Sequence, residues 1–112
     1  MRLLPSLRQK KRYVVFEILS DRSFSFQEIK ESIYDAMHQF LGSWGSAHAS
    51  PMIITGRFNE QKQRLVMKVN NTAVDELKMA LVLCTHIQHS PIIIRSLVTS
   101  GTLKKAGQYL NS

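Results

Sequence analysis

A chain of 112 residues, 44% hydrophobic and 21% charged, holds enough apolar mass for one core and too much for a disordered tail. Its formal charge of +7 favours a polyanionic partner, and no apolar run approaches the roughly 18 residues of a membrane span. The single cysteine, Cys84, excludes an internal disulfide, reads as buried packing and fits a reducing, cytoplasmic setting.

In chain order, the first twelve residues carry Arg2, Arg8, Lys10, Lys11 and Arg12 and no acid, while the remaining hundred hold ten bases against eight acids. Residues 1–11 therefore read as a basic arm on a single αβ domain spanning 12–112. The arm has neither the long apolar stretch and cleavage site of a signal peptide nor the spacing of a membrane-surface helix. Arg12–Leu19 alternates, with Val14, Phe16 and Ile18 on one face and Tyr13, Val15 and Glu17 on the other, which predicts a strand. Ser25 with Glu28 forms a capping box, and Phe24 with Ile29 a hydrophobic staple, so a helix begins there. Phe26, Ile29, Ile33, Met37 and Phe40 keep helical spacing, and Gly42 is the expected stop.

Met52–Asn59 predicts a second strand, Glu60–Gln63 a polar turn, and Arg64–Asn70 a third strand with Leu65, Met67 and Val69 inward and Val66 and Lys68 outward. Thr72 with Asp75 opens a second helix carrying Val74, Leu77, Leu81 and Cys84. Its middle, Met79–Cys84, is apolar on nearly every side, so it is either buried all round or covered by a partner. A fourth strand is expected from Pro91 through Thr99, then a short third helix to about Leu110.

The order β-α-β-β-α-β-α predicts an α+β, ferredoxin-like sandwich: a four-stranded antiparallel sheet with both long helices on one face and a C-terminal helix. The other sheet face is expected to be open, carrying Tyr13, Val15, Arg57, Val66, Lys68 and Arg95. RNA-recognition motifs of this shape stack bases on aromatics of the first and third strands. The third strand here, Arg64–Asn70, has none, so RNA would be met through phosphates and shape.

The run Leu97-Val98-Thr99-Ser100-Gly101-Thr102-Leu103-Lys104-Lys105 ends a strand in Ser-Gly-Thr and opens a helix with two lysines. Glycine permits close approach, and first-turn N–H groups favour an anion. The plain alternatives are an ordinary N-cap with two exposed lysines and, for the arm, a solvated tail. His86 and His89 lie three apart with no Cys or acidic cluster to complete a metal site. Glu28, Glu31 and Asp35 read as a solvated helix stripe, and no nucleophile–base grouping stands out. A small phosphatase on this fold would have only Arg57 and Asn59 as a faint echo.

Four stretches carry a family resemblance: Lys11-Arg12-Tyr13-Val14-Val15-Phe16-Glu17-Ile18, Gly42-Ser43-Trp44-Gly45, the helix around Asp75–Leu83, and Leu97 through Ala106. In them the chain resembles the small Pop-type subunit family of ribonuclease P, shared by eukaryotes and archaea, where it is protein component 2. The resemblance implies a sandwich without the usual aromatic RNA contacts. It also implies a ribonucleoprotein endonuclease that trims the 5′ leader of precursor tRNA, with the RNA doing the chemistry on Mg²⁺ and no cofactor held by the protein. The implied partners are ribonuclease P RNA, precursor tRNA in the complex, the TIM-barrel subunit component 3, and a second copy of the chain. The chain departs from the family's habit at Gln63-Arg64, where glycine is frequent, and at Asn70-Asn71, where a base is frequent.

The expected function is thus a non-catalytic RNA-binding subunit of ribonuclease P. Arg8, Lys10, Lys11 and Arg12 would follow RNA phosphates, with Arg95 also cationic on the sheet. Ser100, Gly101 and Thr102 would hold a phosphate beside Lys104 and Lys105, positioning RNA without reading sequence. Met79, Val82 and Leu83, and the Gly42–Ala47 loop with Gly42, Trp44 and Gly45, are the expected protein contacts. No catalytic residue and no metal ligand is assigned. The rival readings are a protein-interaction scaffold without RNA contact and the small phosphatase.

Overall fold

The computed structural model describes residues 10–112; Arg8 and the rest of residues 1–9 lie outside the described residues. The elements are β1 (Lys11–Leu19), α1 (Phe26–Ala49), β2 (Met52–Asn59), β3 (Arg64–Asn70), α2 (Val74–Leu83), β4 (His86–Ile87), β5 (Ser90–Pro91), β6 (Ile93–Ser100) and α3 (Leu103–Gly107). The main sheet runs β2-β3-β1-β6, antiparallel at every pairing. This is the ferredoxin-like α+β architecture expected from the alternation, and β1 lies between β3 and β6 as that plan requires. Among the described residues no helix is long and apolar enough to cross a membrane.

Period-two alternation sends Val14, Phe16, Ile18, Leu65, Met67 and Val69 to one face. There they pack with Ile29, Ile33 and Met37 of α1 and Leu77, Ala80 and Leu81 of α2, in the larger buried cluster. The capping box at α1 forms as the sequence predicts: Glu28 N–H donates to Ser25 Oγ at 3.2 Å, and Ser25 N–H donates to Glu28 Oε1 at 3.0 Å. The side chain at α2 does not cap as expected. A 3-10 turn at Asn71–Ala73 precedes the helix, and its N-cap, Ala73, offers no side-chain bond.

The second sheet face is not open. Val15 and Val66 are buried against Ala106 and Leu110, with Tyr13, Ile54, Leu97, Val98 and Leu103 packed around them. The C-terminal helix and the 3-10 turn Gln108–Leu110 lie across the strands and close it. Val15 and Val66 explain why: burying each apolar side chain stabilises by roughly 1.5–3 kcal/mol, and α3 supplies the matching Ala106 and Leu110. Of the six residues expected on an open face, only Arg57 and Arg95 are exposed; Tyr13 and Lys68 are half-buried.

Two further details differ from expectation, and a third explains Gln63. Gly42 does not end the first helix; its φ of 75° and ψ of 174° put a kink in it, and residues 43–49 resume as helix, so the expected loop is helical. A two-strand ribbon, β4–β5, precedes the last long strand, turning through left-handed Gln88 and His89. Gln63 also sits at a left-handed φ of 54°, costly for a side chain with a Cβ. Its amide offsets that cost by accepting from Phe24 N–H at 2.7 Å and donating to Phe24 and Glu60 carbonyls at 3.1 and 2.8 Å. The departure from glycine there ties the start of α1 to the β2–β3 turn.

Candidate nucleic-acid interface

Strand register decides which cations meet. Lys11 faces Asn70 across β1–β3, and Tyr13 faces Ser100 across β1–β6. The entry of β1 and the exit of β6 therefore share one end of the sheet. Asn71 N–H donates to Lys10 C=O at 2.7 Å, and Lys11 Nζ donates to Asn70 Oδ1, so this part of the arm is held to β3. Arg12 Nη1 bonds Lys11 C=O at 3.2 Å and lies 3.9 Å from where a Cβ on Gly101 would stand. Lys10, Lys11 and Arg12 and the Ser-Gly-Thr motif are thus brought to one end of the sheet. Lys104 and Lys105 project exposed from α3, and among the described residues neither makes an ion pair. Lys105 also lines a shallow groove with Val98, Thr99, Ser100, Gln108 and Tyr109, between α3 and β6, an edge strand.

Within the motif the two hydroxyls are already engaged. Ser100 Oγ accepts from Thr102 N–H at 3.2 Å, and Thr102 Oγ1 accepts from Lys105 N–H at 3.3 Å. Thr102 is thus an ordinary N-cap, as the plainer alternative has it. Gly101 needs no left-handed φ, and within 4 Å an added Cβ would meet only Arg12 Nη1. Its missing side chain leaves open approach to the backbone beside a guanidinium.

Arg95 belongs elsewhere. It faces Glu17 in the β1–β6 register, four residues from Tyr13 and so roughly 13 Å along the strand. Glu17 is buried and accepts from Arg64 Nε at 2.8 Å and from Arg95 Nη2 at 2.9 Å. Burial raises the Glu17 pKa, but the hydrogen bonds and charges of the two arginines outweigh it and hold the carboxyl below its ordinary value. Arg64 also donates to Tyr109 C=O at 2.9 Å and Ser112 C=O at 2.6 Å. Asn59 Nδ2 donates to Leu110 C=O at 2.8 Å. Asn59 is therefore occupied in holding the C-terminal segment, which removes half of the phosphatase echo.

The residues expected to contact protein fall in two places. On α2, Leu77, Ala80 and Leu81 are buried, as is Cys84 just past its end, while Met79 and Val82 are 67% and 66% exposed. The helix is therefore not buried all round; one face stands exposed. Phe40, Leu41, Met79, Ala80 and Leu83 line an apolar groove bounded by Asp75 and Glu76, the kind of surface that marks an interaction site. Burial pushes the Cys84 thiol pKa up, with a weak opposing hydrogen bond to His86 C=O, as suits a packing residue. Beyond the Gly42 kink, Trp44 is 79% exposed and stacked on His48, with ring centroids 5.3 Å apart and planes 7° from parallel. Gly45 is tight against Leu41, whose Cβ would lie 3.1 Å from an added Cβ. Reasoning from sequence misses the Trp44–His48 pair and the Glu17 ion cluster; the i, i+4 spacing of Trp44 and His48 is the available signal.

The chain matches the model of the Rpp14/Pop5 family over residues 12–111. A ribonuclease P protein component 2 of Thermococcus gammatolerans is 42% identical over 103 residues, covering 92% of this chain and 84% of that protein. That of Thermococcus kodakarensis is 40% identical over the same coverage, and that of Methanocaldococcus jannaschii 34% identical over 93% of this chain and 75% of that protein. A chain in the cryo-EM structure of yeast ribonuclease MRP superposes with a TM-score of 0.67 over 93% of this chain and 88% of that one. At 12% identity that likeness speaks to the fold alone. With nearly its whole length matched, the chain belongs to the Rpp14/Pop5 family.

Proposed function

We propose that this chain is a non-catalytic RNA-binding subunit of ribonuclease P, supporting the catalytic RNA that removes 5′ leaders from precursor tRNA. Family membership and the name borne by its archaeal relatives support the assignment to that ribonucleoprotein. The observation that carries the RNA contact is the convergence of Arg12 and Gly101 at one end of the sheet. Lys10, Lys11 and Arg12 line one side of that end, and Lys104 and Lys105 the other. Arg8 would extend the arm. A phosphate passing over Gly101 meets exposed backbone between a guanidinium and two ammonium groups, which fixes RNA position without selecting sequence. Mg²⁺ and the hydrolytic chemistry belong to the RNA. Arg95 is not part of this surface.

The exposed Met79, Val82 and Leu83 beside Phe40 are the surface for a protein neighbour. A TIM-barrel component 3 or a second copy of this chain would cover it. The scaffold reading is contained in this surface and does not replace the cationic end. The test is a complex reconstituted with RNA and carrying Lys104→Glu and Lys105→Glu. Precursor-tRNA cleavage should fall. The dependence of RNA affinity on log salt should flatten by roughly 0.7–0.9 for each phosphate that the variant no longer neutralises. Unchanged cleavage with an unchanged slope would overturn the phosphate site and leave the scaffold reading.

A further inference from the structure

Both glycines that flank α3 lie beside a guanidinium. An added Cβ would stand 3.9 Å from Arg12 Nη1 at Gly101 and 3.4 Å from Arg57 Nη1 at Gly107. Arg57 reaches Gly107 through a break in the edge strand β2. Ile53 pairs with Met67 and Phe58 with Leu65, so Ile54, Thr55, Gly56 and Arg57 together stand opposite Val66. Gly56 takes a φ of 88°, open to glycine and costly for other residues. A bulge re-aims a side chain, and this one carries Arg57 to the C-terminal end of α3. The carbonyls of Tyr109, Leu110, Asn111 and Ser112 are taken by Arg64, Asn59 and Lys62. Arg57 is exposed, and among the described residues it makes no ion pair. It opens on a cleft of about 440 Å³ lined also by Gly56, Glu60, Gly107 and Asn111. Lys68, two residues from Val66 and outward like it, adds a second cation roughly 7 Å along β3, also without an ion pair among the described residues.

We propose that Arg57, set against Gly107 by the β2 bulge, is a second phosphate site, so that one RNA strand crosses α3 from Gly101 to Gly107. The proposal rests on the RNA-binding function and adds where the backbone goes after the first contact. Gly101 and Gly107 are six residues apart, on the order of 10 Å at a helical rise, which is about three nucleotides of a stacked strand. Lys104 and Lys105 stand exposed between them. A guanidinium holds two phosphate oxygens at once through parallel N–H donors, and the absent Cβ of Gly107 leaves room beside it. Contacts of this kind fix the path of the strand and are blind to its bases.

The full chain is titrated over a range of salt with a short RNA stem-loop and with a second stem-loop of equal length and scrambled sequence. Arg57→Gln should weaken binding to both RNAs alike and flatten the dependence on log salt by roughly 0.7–0.9. Arg57→Lys, which keeps the charge, should keep the slope. The melting temperature of Arg57→Gln should match the parent. Combined with Lys104→Glu and Lys105→Glu, the losses of slope should add, since the sites hold different phosphates. A parent-like slope in Arg57→Gln, with a flattened one in the lysine variant, would overturn the second site and leave the first. Parent-like slopes in both variants would overturn both sites. A lowered melting temperature in Arg57→Gln with a parent-like slope would make Arg57 a brace for α3 and overturn the proposal. A loss confined to one of the two RNA sequences would make Arg57 a reader of bases and overturn the phosphate assignment.

Discussion

The two ends of the sheet carry similar charge and use it in opposite ways. At one end Arg64 and Arg95 close on the buried Glu17 carboxylate, and Arg64 and Lys62 take up the carbonyls of Tyr109, Asn111 and Ser112. At the other, Lys104 and Lys105 stand in solvent, and Arg12 turns its guanidinium toward the bare backbone of Gly101. A basic residue is therefore not evidence of RNA binding by its count or by its strand. Its partner decides: the paired end holds the C-terminal residues Tyr109–Ser112 on the sheet, and the unpaired end is left to meet an anion.

That contrast can be broken from either side. The largest expected effect is at the paired end. Glu17→Ala leaves the guanidinium of Arg64, whose side chain is 14% exposed, without its counter-charge, and should cost about 3 kcal/mol in denaturant unfolding. RNA affinity of the folded fraction should not change. Leu110→Ala opens the packing of the C-terminal turn on Val15 and Val66 and should cost about 2–3 kcal/mol, again with RNA affinity intact. Loss of RNA binding in either folded variant would erase the distinction between the ends.

Acid sharpens the same comparison. The Glu17 pKa is lowered on folding, so the unfolded chain binds its proton first as pH falls. The stabilisation is complete above the unfolded value of about 4.3 and is lost as pH drops through the lower folded value. Melting temperature should therefore decline below about pH 4.3 in the parent chain, and less steeply in Glu17→Gln. Equal acid limbs for the two chains would remove Glu17 from the account of the paired end. The smallest stability effect is at the unpaired end: Lys104→Glu should shift unfolding by no more than about 0.5 kcal/mol while weakening RNA binding.

Much of this is legible in the residues. Alternation in Val14, Phe16 and Ile18 and in Leu65, Met67 and Val69 places the core face, and Ser25 with Glu28 places the first helix. Both are local rules acting within a few residues. The closed second face is not legible in the same way, because Val15 and Val66 look outward by pattern and are buried in a cluster completed by Ala106 and Leu110, which follow forty residues or more later. Sequence groups Arg95 with the arm because charge is visible there and pairing is not. Glu17, its partner, is separated by 78 positions and meets it only through the β1–β6 register. The Ser100–Lys105 motif meets Lys10–Arg12 because β1 and β6 are neighbours in the sheet. Whether its hydroxyls face a ligand or their own backbone depends on rotamers that no pattern encodes.

The most direct measurement compares the two ends in one assay: RNA affinity against salt for Lys104→Glu with Lys105→Glu, and for Arg95→Gln, each against the parent chain. The expected result is a weaker affinity and a flatter salt slope in the lysine variant, with Arg95→Gln matching the parent within error. Parent-like binding in the lysine variant, or a flattened slope in Arg95→Gln, would contradict the assignment of RNA to the unpaired end.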